Sequence, residues 1–288
     1  MLLALTACTP TEKQLHERAA ELCRYIPDHQ LLTESREYLT EDFYAVLDTM
    51  FNLLPDEEEV AHEWLYYFVT GNGGTIADFE VQKVNLIDKT HAVATILVRQ
   101  KWEDGSFDES TDIEEHRLYM DKIDGDWLMS DFDGHKADCI RDIAIARRDQ
   151  AMREAIGEYL VNVIGPQYLQ GDICVPTVIE VAVDDNRYYC DCQVNWYNIV
   201  GDTLKSLSGG SHSGCMTLSE QDGEWQVIAF DETVDGAGND ASARRIFGKH
   251  YDIYCNIHSN ARVRETCRML QLRKYIRKHN LPWIYTQK

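Results

Sequence analysis

A chain of 288 residues with 44% hydrophobic and 27% charged side chains is long enough for two folded domains and is too hydrophobic to be wholly disordered. Its formal charge of −21 lies mostly in residues 1–150, which hold 32 acidic and 14 basic side chains. Because an acidic chain repels phosphate, this charge excludes broad nucleic-acid binding. No stretch reaches the roughly 20 apolar residues of a membrane-spanning helix.

The apolar start of the chain ends in Leu5-Thr-Ala-Cys8. This tetrapeptide resembles the bacterial lipobox, whose cysteine is acylated and becomes the mature N-terminus. Residues 1–11 would then be a signal remnant and a tether, and the basic n-region of the signal peptide would lie upstream of Met1. The resemblance implies lipidation of Cys8 and a place in the cell envelope, at the periplasmic or outer-membrane surface. A chance cysteine at a frayed terminus is the alternative.

Helices dominate the start of the first predicted domain, residues 12–145. Residues 12–26 are rich in Leu, Ala and Glu and stop at Pro27, and a second amphipathic run opens at Thr40 and ends at Pro55. A third helix is predicted over residues 56–69. The hydrophobic period then changes to two, which predicts strands. Four are expected, at residues 79–87, 91–102, 113–123 and 127–132.

The second predicted domain, residues 146–288, repeats this order. A long helix begins at His135, in a run that holds neither Gly nor Pro as far as Ile156, and crosses the boundary to reach Ile164, where Gly165-Pro166 ends it. Alternating patterns then predict five strands, at residues 174–183, 188–200, 203–207, 215–220 and 225–230. Two helices, at residues 241–258 and 262–279, form a C-terminal extension. Helices that precede antiparallel strands in both halves predict an α+β fold with two domains.

The two halves share one hairpin pattern. Residues 118–134 and 216–231 each contain an Asp-Gly turn, a Trp two residues after the glycine and a closing Phe-Asp pair. An Asp-Gly turn between alternating strands predicts a β-hairpin. Either a duplication or convergence on one architecture accounts for the match.

Helices on a curved antiparallel sheet with an Asp-Gly-x-Trp hairpin resemble the nuclear-transport-factor-2-like and cystatin-like folds. The first half resembles the former over about residues 30–135, and the second resembles a smaller cystatin-like unit over about residues 145–235. Tandem units behind a lipobox are similar to uncharacterised envelope lipoproteins of gut bacteria of the Bacteroides type. The resemblance implies a topology rather than an activity, because these folds serve isomerases, dehydratases, binding modules and scaffolds.

Eight cysteines remain when Cys8 is set aside, and an even number in an exported protein permits disulfides without establishing them. Cys190 and Cys192 are two apart in a predicted strand, so both thiols are expected on one face and not bonded to each other. Buried free thiols are the alternative. No Cys-x-x-Cys pair or His-Glu-x-x-His motif is present, and we expect neither a metal site nor a cofactor.

Two groups of side chains have the chemistry of a catalytic site. In the segment Ser208-Gly-Gly-Ser-His-Ser-Gly-Cys215, a thiol nucleophile at Cys215 would have His212 as its base, with glycine amides nearby for an oxyanion. Three glycines in what the pattern predicts as a connection between two strands also suit a structural turn, which we favour.

The second group is Asp131, Asp133 and His135, which would pair carboxylates with an imidazole for acid–base work. A strand end that passes into a helix N-cap explains the same residues, because Asp is preferred at that position. We therefore expect a binding or scaffold module of unknown ligand rather than an enzyme. Its partners would be the membrane, through the lipid on Cys8, and an envelope protein or a small molecule. A hydrolase or isomerase with a pocket in one sheet is the alternative.

Overall fold

The structure is a computed structural model that describes residues 12–28, 32–53, 75–102, 106, 113–279 and 281. The chain divides into two compact units, Met1–Arg147 and Arg148–Lys288. Cys8, the predicted helix at residues 56–69 and the predicted turn at residues 104–105 lie outside the described residues. Within those residues, two four-stranded antiparallel sheets and six α-helices confirm the α+β class.

In the first unit, helices precede a meander of four antiparallel strands in the order β1-β2-β3-β4. The elements are α1 (Glu12–Asp28), a 3-10 helix (Leu32–Tyr38), α2 (Glu41–Leu53), β1 (Thr75–Leu86), β2 (His91–Lys101), β3 (Ile113–Ile123), β4 (Asp126–Phe132) and the start of α3 (His135–Tyr159). One face of the sheet packs on α1 and α2. Alternate residues of β2 from Ala92 to Val98 are buried there, with Leu15 and Phe43 from the helices.

The second unit repeats the meander in the order β5-β6-β7-β8 and adds helices after it. Its elements are the end of α3 with a π turn (Leu160–Ile164) and a 3-10 turn (Gly165–Gln167), then β5 (Ile173–Asp184), β6 (Arg187–Val200), β7 (Thr203–Gln221), β8 (Glu224–Glu232), α4 (Asn239–Phe247), α5 (Tyr251–His258) and α6 (Ala261–Lys278). Among the described helices of the chain, none is long and apolar enough to cross a membrane.

In the second sheet, most of β6 and the middle of β7, residues 212–216, are buried on both faces. Even-numbered residues of β6, among them Cys190 and Cys192, pack in one cluster with α3, as their spacing predicts. Odd-numbered Tyr189 packs in another cluster with Phe247 and Tyr254 of α4 and α5. All eight cysteines of the described residues are free thiols. Burial on both faces leaves little room for polar side chains in β6 and β7 unless they find partners.

The sequence prediction of two strands joined by a glycine-rich connection at Ser208 to Cys215 is wrong. Residues Thr203–Gln221 form one 19-residue strand, β7, which pairs with β6 from Thr203 to Thr217. A β-bulge at Leu207, opposite Trp196 and Tyr197, is the only irregularity in this pairing. The glycines therefore lie inside a sheet, where their lack of a side chain permits close approach of neighbouring groups.

The predicted helix over residues 241–258 is two helices, α4 and α5. The break falls at Gly248, which has φ of +49° and follows directly after α4. Only glycine adopts this conformation at little cost, so it ends α4 in the manner of a glycine C-cap. A 3-10 turn (Gly248–His250) then redirects the chain into α5.

The two matching hairpins have the same geometry. Their turns, Asp124-Gly125 and Asp222-Gly223, both have positive φ at each residue, as a type I′ turn requires. Each hairpin also has a β-bulge three residues after its Trp, at Ser130 in β4 and at Ile228 in β8. A shared bulge at a shared position favours duplication over convergence, because bulges are specific local features of a sheet.

Candidate functional site

The structure does not bring His212 and Cys215 together. They are three residues apart in the regular part of β7, so their side chains point to opposite faces of the sheet. Cys215 packs with Phe247 and Tyr254 on the face covered by α4 and α5. Burial raises the pKa of the Cys215 thiol, although nearby Arg187 lowers it in part. A buried thiol with a raised pKa and with His212 on the other face of the sheet is a poor nucleophile.

His212 belongs instead to a chain of three polar side chains on the opposite face. Its Nδ1 lies 2.5 Å from Oε1 of Glu232, and its Nε2 lies 2.8 Å from the hydroxyl of Tyr168. Burial raises the pKa of Tyr168, and the carboxylates of Glu232 and Asp235 raise it further. With the Nδ1 proton donated to Glu232, the neutral Tyr168 hydroxyl donates to Nε2, and both nitrogens of the buried ring are satisfied.

Gly210 makes this contact possible. A Cβ atom at Gly210 would lie 2.0 Å from the hydroxyl oxygen of Tyr168 and 2.8 Å from its Cζ. Part of the glycine-rich segment is therefore explained by space for a tyrosine that reaches His212, and not by an oxyanion site.

The group at residues 131–135 connects β4 to α3. Oδ1 of Asp131 accepts hydrogen bonds from the backbone N–H of Phe132 at 2.7 Å and of Lys136 at 3.0 Å, so this side chain caps the start of α3. Asp133 pairs with His116 of β3, at 2.6 Å from Nδ1. The His135 ring stacks on Phe132 with the centroids 6.5 Å apart. Each of the three predicted residues thus has a structural contact, and the charge of His135 also helps to lower the pKa of Asp133.

The hydrogen bonds of Asp133 govern its ionisation. Burial raises the pKa of this carboxyl group, but the hydrogen bonds from His116 and from the backbone N–H of Arg117 outweigh that effect, and the net pKa is lowered. Asp133 also has φ of +52°, a conformation that Asp and Asn tolerate better than most residues.

Asp191 is a wholly buried carboxylate that the sequence analysis missed. It lies between Cys190 and Cys192 of β6, on the face covered by α5 and α6. Ser213 donates to Oδ1 at 2.8 Å, while Oδ2 lies 3.0 Å from Nε of Arg264 and 3.3 Å from Nδ1 of His258. A buried charge requires partners of this kind, so the cluster holds α5 and α6 on the sheet.

A groove of about 420 Å³ runs between α3, the edge strand β5 and α6 in the second unit. Gln271 of α6 fixes the helix on β5, because its Oε1 accepts the N–H of Val178 at 3.3 Å and its Nε2 donates to the carbonyl of Val178 at 3.0 Å. The apolar part of the lining is Gly157, Val175, Pro176, Val178, Cys267, Leu270 and Tyr275.

The charged lining of this groove is mainly basic. Arg153, Lys274 and Lys278 line it together with a single acidic residue, Glu154. Arg153 forms a 3.7 Å ion pair with Glu180, whereas Lys274 and Lys278 form no ion pair with any described residue. The basic amphipathic pattern of α6 is the sequence signal for this site, but its partners on α3 and β5 are about 100 residues away along the chain. No cluster of side chains suited to a metal ion occurs among the described residues.

The clearance at Gly210 predicts the effect of adding one methyl group. Gly210→Ala should push the Tyr168 hydroxyl away from His212 and leave a buried nitrogen without a partner, at a cost of about 1–3 kcal/mol in unfolding free energy. Urea unfolding measures this cost. In a Tyr168→Ala background the same substitution should cost much less, because the clash and the hydrogen bond are already gone. Equal costs in both backgrounds would contradict the role given to Gly210.

The lowered pKa of Asp133 predicts a pH-dependent stability difference. Asp133→Asn should destabilise the protein by about 1 kcal/mol at pH 7, since a hydrogen-bonded carboxylate is lost. A depressed folded-state pKa contributes stability above the unfolded value of about 4, and this is lost as the pH falls through the folded pKa. The difference from the parent protein should therefore shrink in acid. Asp222→Asn, at another turn position of positive φ, is the matched control.

Comparisons with known proteins assign no family to this arrangement. No protein-family model matches the sequence, and no curated protein matches it. The resemblances to the nuclear-transport-factor-2-like and cystatin-like folds and to envelope lipoproteins therefore stay predictions, and the case for function depends on the geometry described above.

Proposed function

We propose that this chain is a non-enzymatic cell-envelope lipoprotein whose second unit binds a small amphiphilic anion. The groove between α3, β5 and α6 carries the proposal, because its volume of about 420 Å³ falls within the range of about 300–1,000 Å³ typical of ligand pockets. Its apolar lining suits an alkyl chain, and the ammonium groups of Lys274 and Lys278 suit an acidic head group. In a chain of net charge −21, this local excess of positive charge favours anions.

The proposed anchor is an acylated Cys8, supported by the Leu5-Thr-Ala-Cys8 tetrapeptide. It would hold the protein at the periplasmic or outer-membrane surface. Single-chain amphiphiles concentrate at such a surface because their alkyl chains partition into it. The anchor and the groove are thus two parts of one proposal, and each is tested separately below.

We also propose that the two units are tandem nuclear-transport-factor-2-like and cystatin-like domains with curved sheets. The helix-then-meander order of both units and their shared hairpin bulge support this assignment. We favour binding over a hydrolase or isomerase, because the candidate acid–base groups are engaged in structural hydrogen bonds or buried in a core. A fold of this kind does not by itself distinguish the two.

The groove predicts that dodecanoate, a single-chain carboxylate, binds below its micellar concentration. Reversing two charges with Lys274→Glu and Lys278→Glu should weaken binding at least about tenfold, since two partly exposed ion pairs are replaced by repulsions. Isothermal titration calorimetry gives the dissociation constants. Lys205→Glu, at an exposed residue of β7 that does not line the groove, should leave the affinity unchanged.

Thiol modification gives a second readout of the same site. Cys267 lines the groove, whereas partly exposed Cys255 on α5 does not. Bound dodecanoate should slow the alkylation of Cys267 by iodoacetamide and leave that of Cys255 unchanged. Equal rates with and without dodecanoate, or an affinity that survives both charge reversals, would place the ligand elsewhere or rule it out.

The anchor predicts that Cys8→Ser releases the protein from the membrane. The chain is expressed in a bacterial host behind a basic n-region, so that export does not limit the result. The parent protein should incorporate labelled palmitate and sediment with membranes, and Cys8→Ser should do neither. Cys255→Ser is the control for loss of a cysteine. Labelling and membrane association that persist in Cys8→Ser would refute the anchor without touching the groove.

A further inference from the structure

The two sheets end in equivalent strands, β4 and β8, that differ in what lies along their outer edges. The strands correspond residue by residue, with Trp127 equivalent to Trp225, Met129 to Val227 and the bulged Ser130 to Ile228. Each is the last strand of its meander, so each leaves a row of backbone N–H and C=O groups without a partner in the sheet.

In the first unit, the chain itself covers this edge. Leu39 forms a parallel bridge with Met129, and the N–H of Thr40 donates to the carbonyl of Met129 at 2.9 Å. Ser130, the bulged residue, is accordingly only 7% exposed. A short segment after the 3-10 helix thus pairs with the outer edge of β4 at Met129.

In the second unit, no described segment pairs with the outer edge of β8. Ile228, the equivalent of Ser130, is 61% exposed, and neighbouring Ala229 is exposed as well. Exposed apolar residues on an open edge strand favour pairing with another extended chain. We propose that the outer edge of β8 binds an extended, basic segment of a partner protein as an added strand. This proposal is independent of the ligand groove.

The charges of β8 determine which kind of segment fits. Glu224 lies at one end of the strand, and Asp231 and Glu232 lie at the other, with the carboxylate of Asp231 already paired to Arg245 and that of Glu232 to His212. A second copy of this chain in antiparallel pairing about Ile228 would set Glu224 opposite Glu232, and like charges in that position are destabilising. A segment with an apolar centre and Lys or Arg at both ends avoids the repulsion. One basic end pairs with Glu224, and the other lies against the acidic end of the strand formed by Asp231 and Glu232.

The probe for this surface is a peptide of alternating Thr and Val flanked by two lysines at each end. It should bind the full chain, as measured by fluorescence anisotropy, and the same peptide methylated at every Thr and Val nitrogen should not, because it lacks N–H donors. Glu224→Lys should weaken binding of this peptide about fivefold and strengthen binding of a glutamate-flanked version, as expected for one cross-strand charge pair.

A substitution at the bulge tests the position of the site. Ile228→Lys should weaken both peptides about tenfold or more, since a charge on an edge strand opposes added strands. Ile253→Lys, at an exposed isoleucine of α5, is the matched control and should have no effect. Binding that tolerates Ile228→Lys or full N-methylation would overturn the proposal. A parent protein that sediments as a dimer, and as a monomer after Ile228→Lys, would overturn it in favour of a second copy.

Discussion

The second unit depends on one carboxylate that has no contact with water. Asp191 lies in the middle of β6, and an unpaired charge at such a site would cost several kcal/mol. Its Oδ2 is compensated by Arg264 of α6 and His258 of α5. These helices are therefore held by an ion-pair cluster as well as by apolar burial. The position of α6 in turn brings Gln271 onto the edge of β5, and this contact forms one wall of the groove.

The same constraint accounts for the polar side chains on the other face of this sheet. Because the middle of β7 is buried on both sides, His212 is stable only with a partner at each ring nitrogen. Glu232 and Tyr168 supply these partners, and Gly210 leaves the space that Tyr168 needs. The sequence left a catalytic pair of His212 and Cys215 as an alternative to a structural turn, whereas the structure explains His212 and Gly210 by the packing of a buried strand.

Local sequence patterns were sufficient to predict the strands and turns that depend only on neighbouring residues. The alternation of β2 and β3 and the Asp-Gly turns of both hairpins located those strands to within a few residues. The prediction failed where a contact between distant residues determines the structure. The local pattern at Gly209 and Gly210 indicates a turn, but both glycines lie in β7 and pair with residues of β6. The groove was not predictable, because its three walls come from segments that are distant in sequence, and no local pattern indicates that Gln271 meets Val178.

The two matching hairpins have the same backbone geometry, but their equivalent residues make different contacts. His116 and Asp133 of the first unit correspond in position to Gly214 and Asp231 of the second. In the first unit, Asp133 is hydrogen-bonded to His116. With glycine at that position, Asp231 instead binds Arg245 of α4, which helps to fix a helix on the second face of the sheet. Among the described residues, helices of the first unit pack on one face of its sheet and a short segment pairs with the edge of β4, whereas helices of the second unit pack on both faces and no described segment pairs with the edge of β8. These different contacts give the second unit its helix-lined groove and the exposed strand edge.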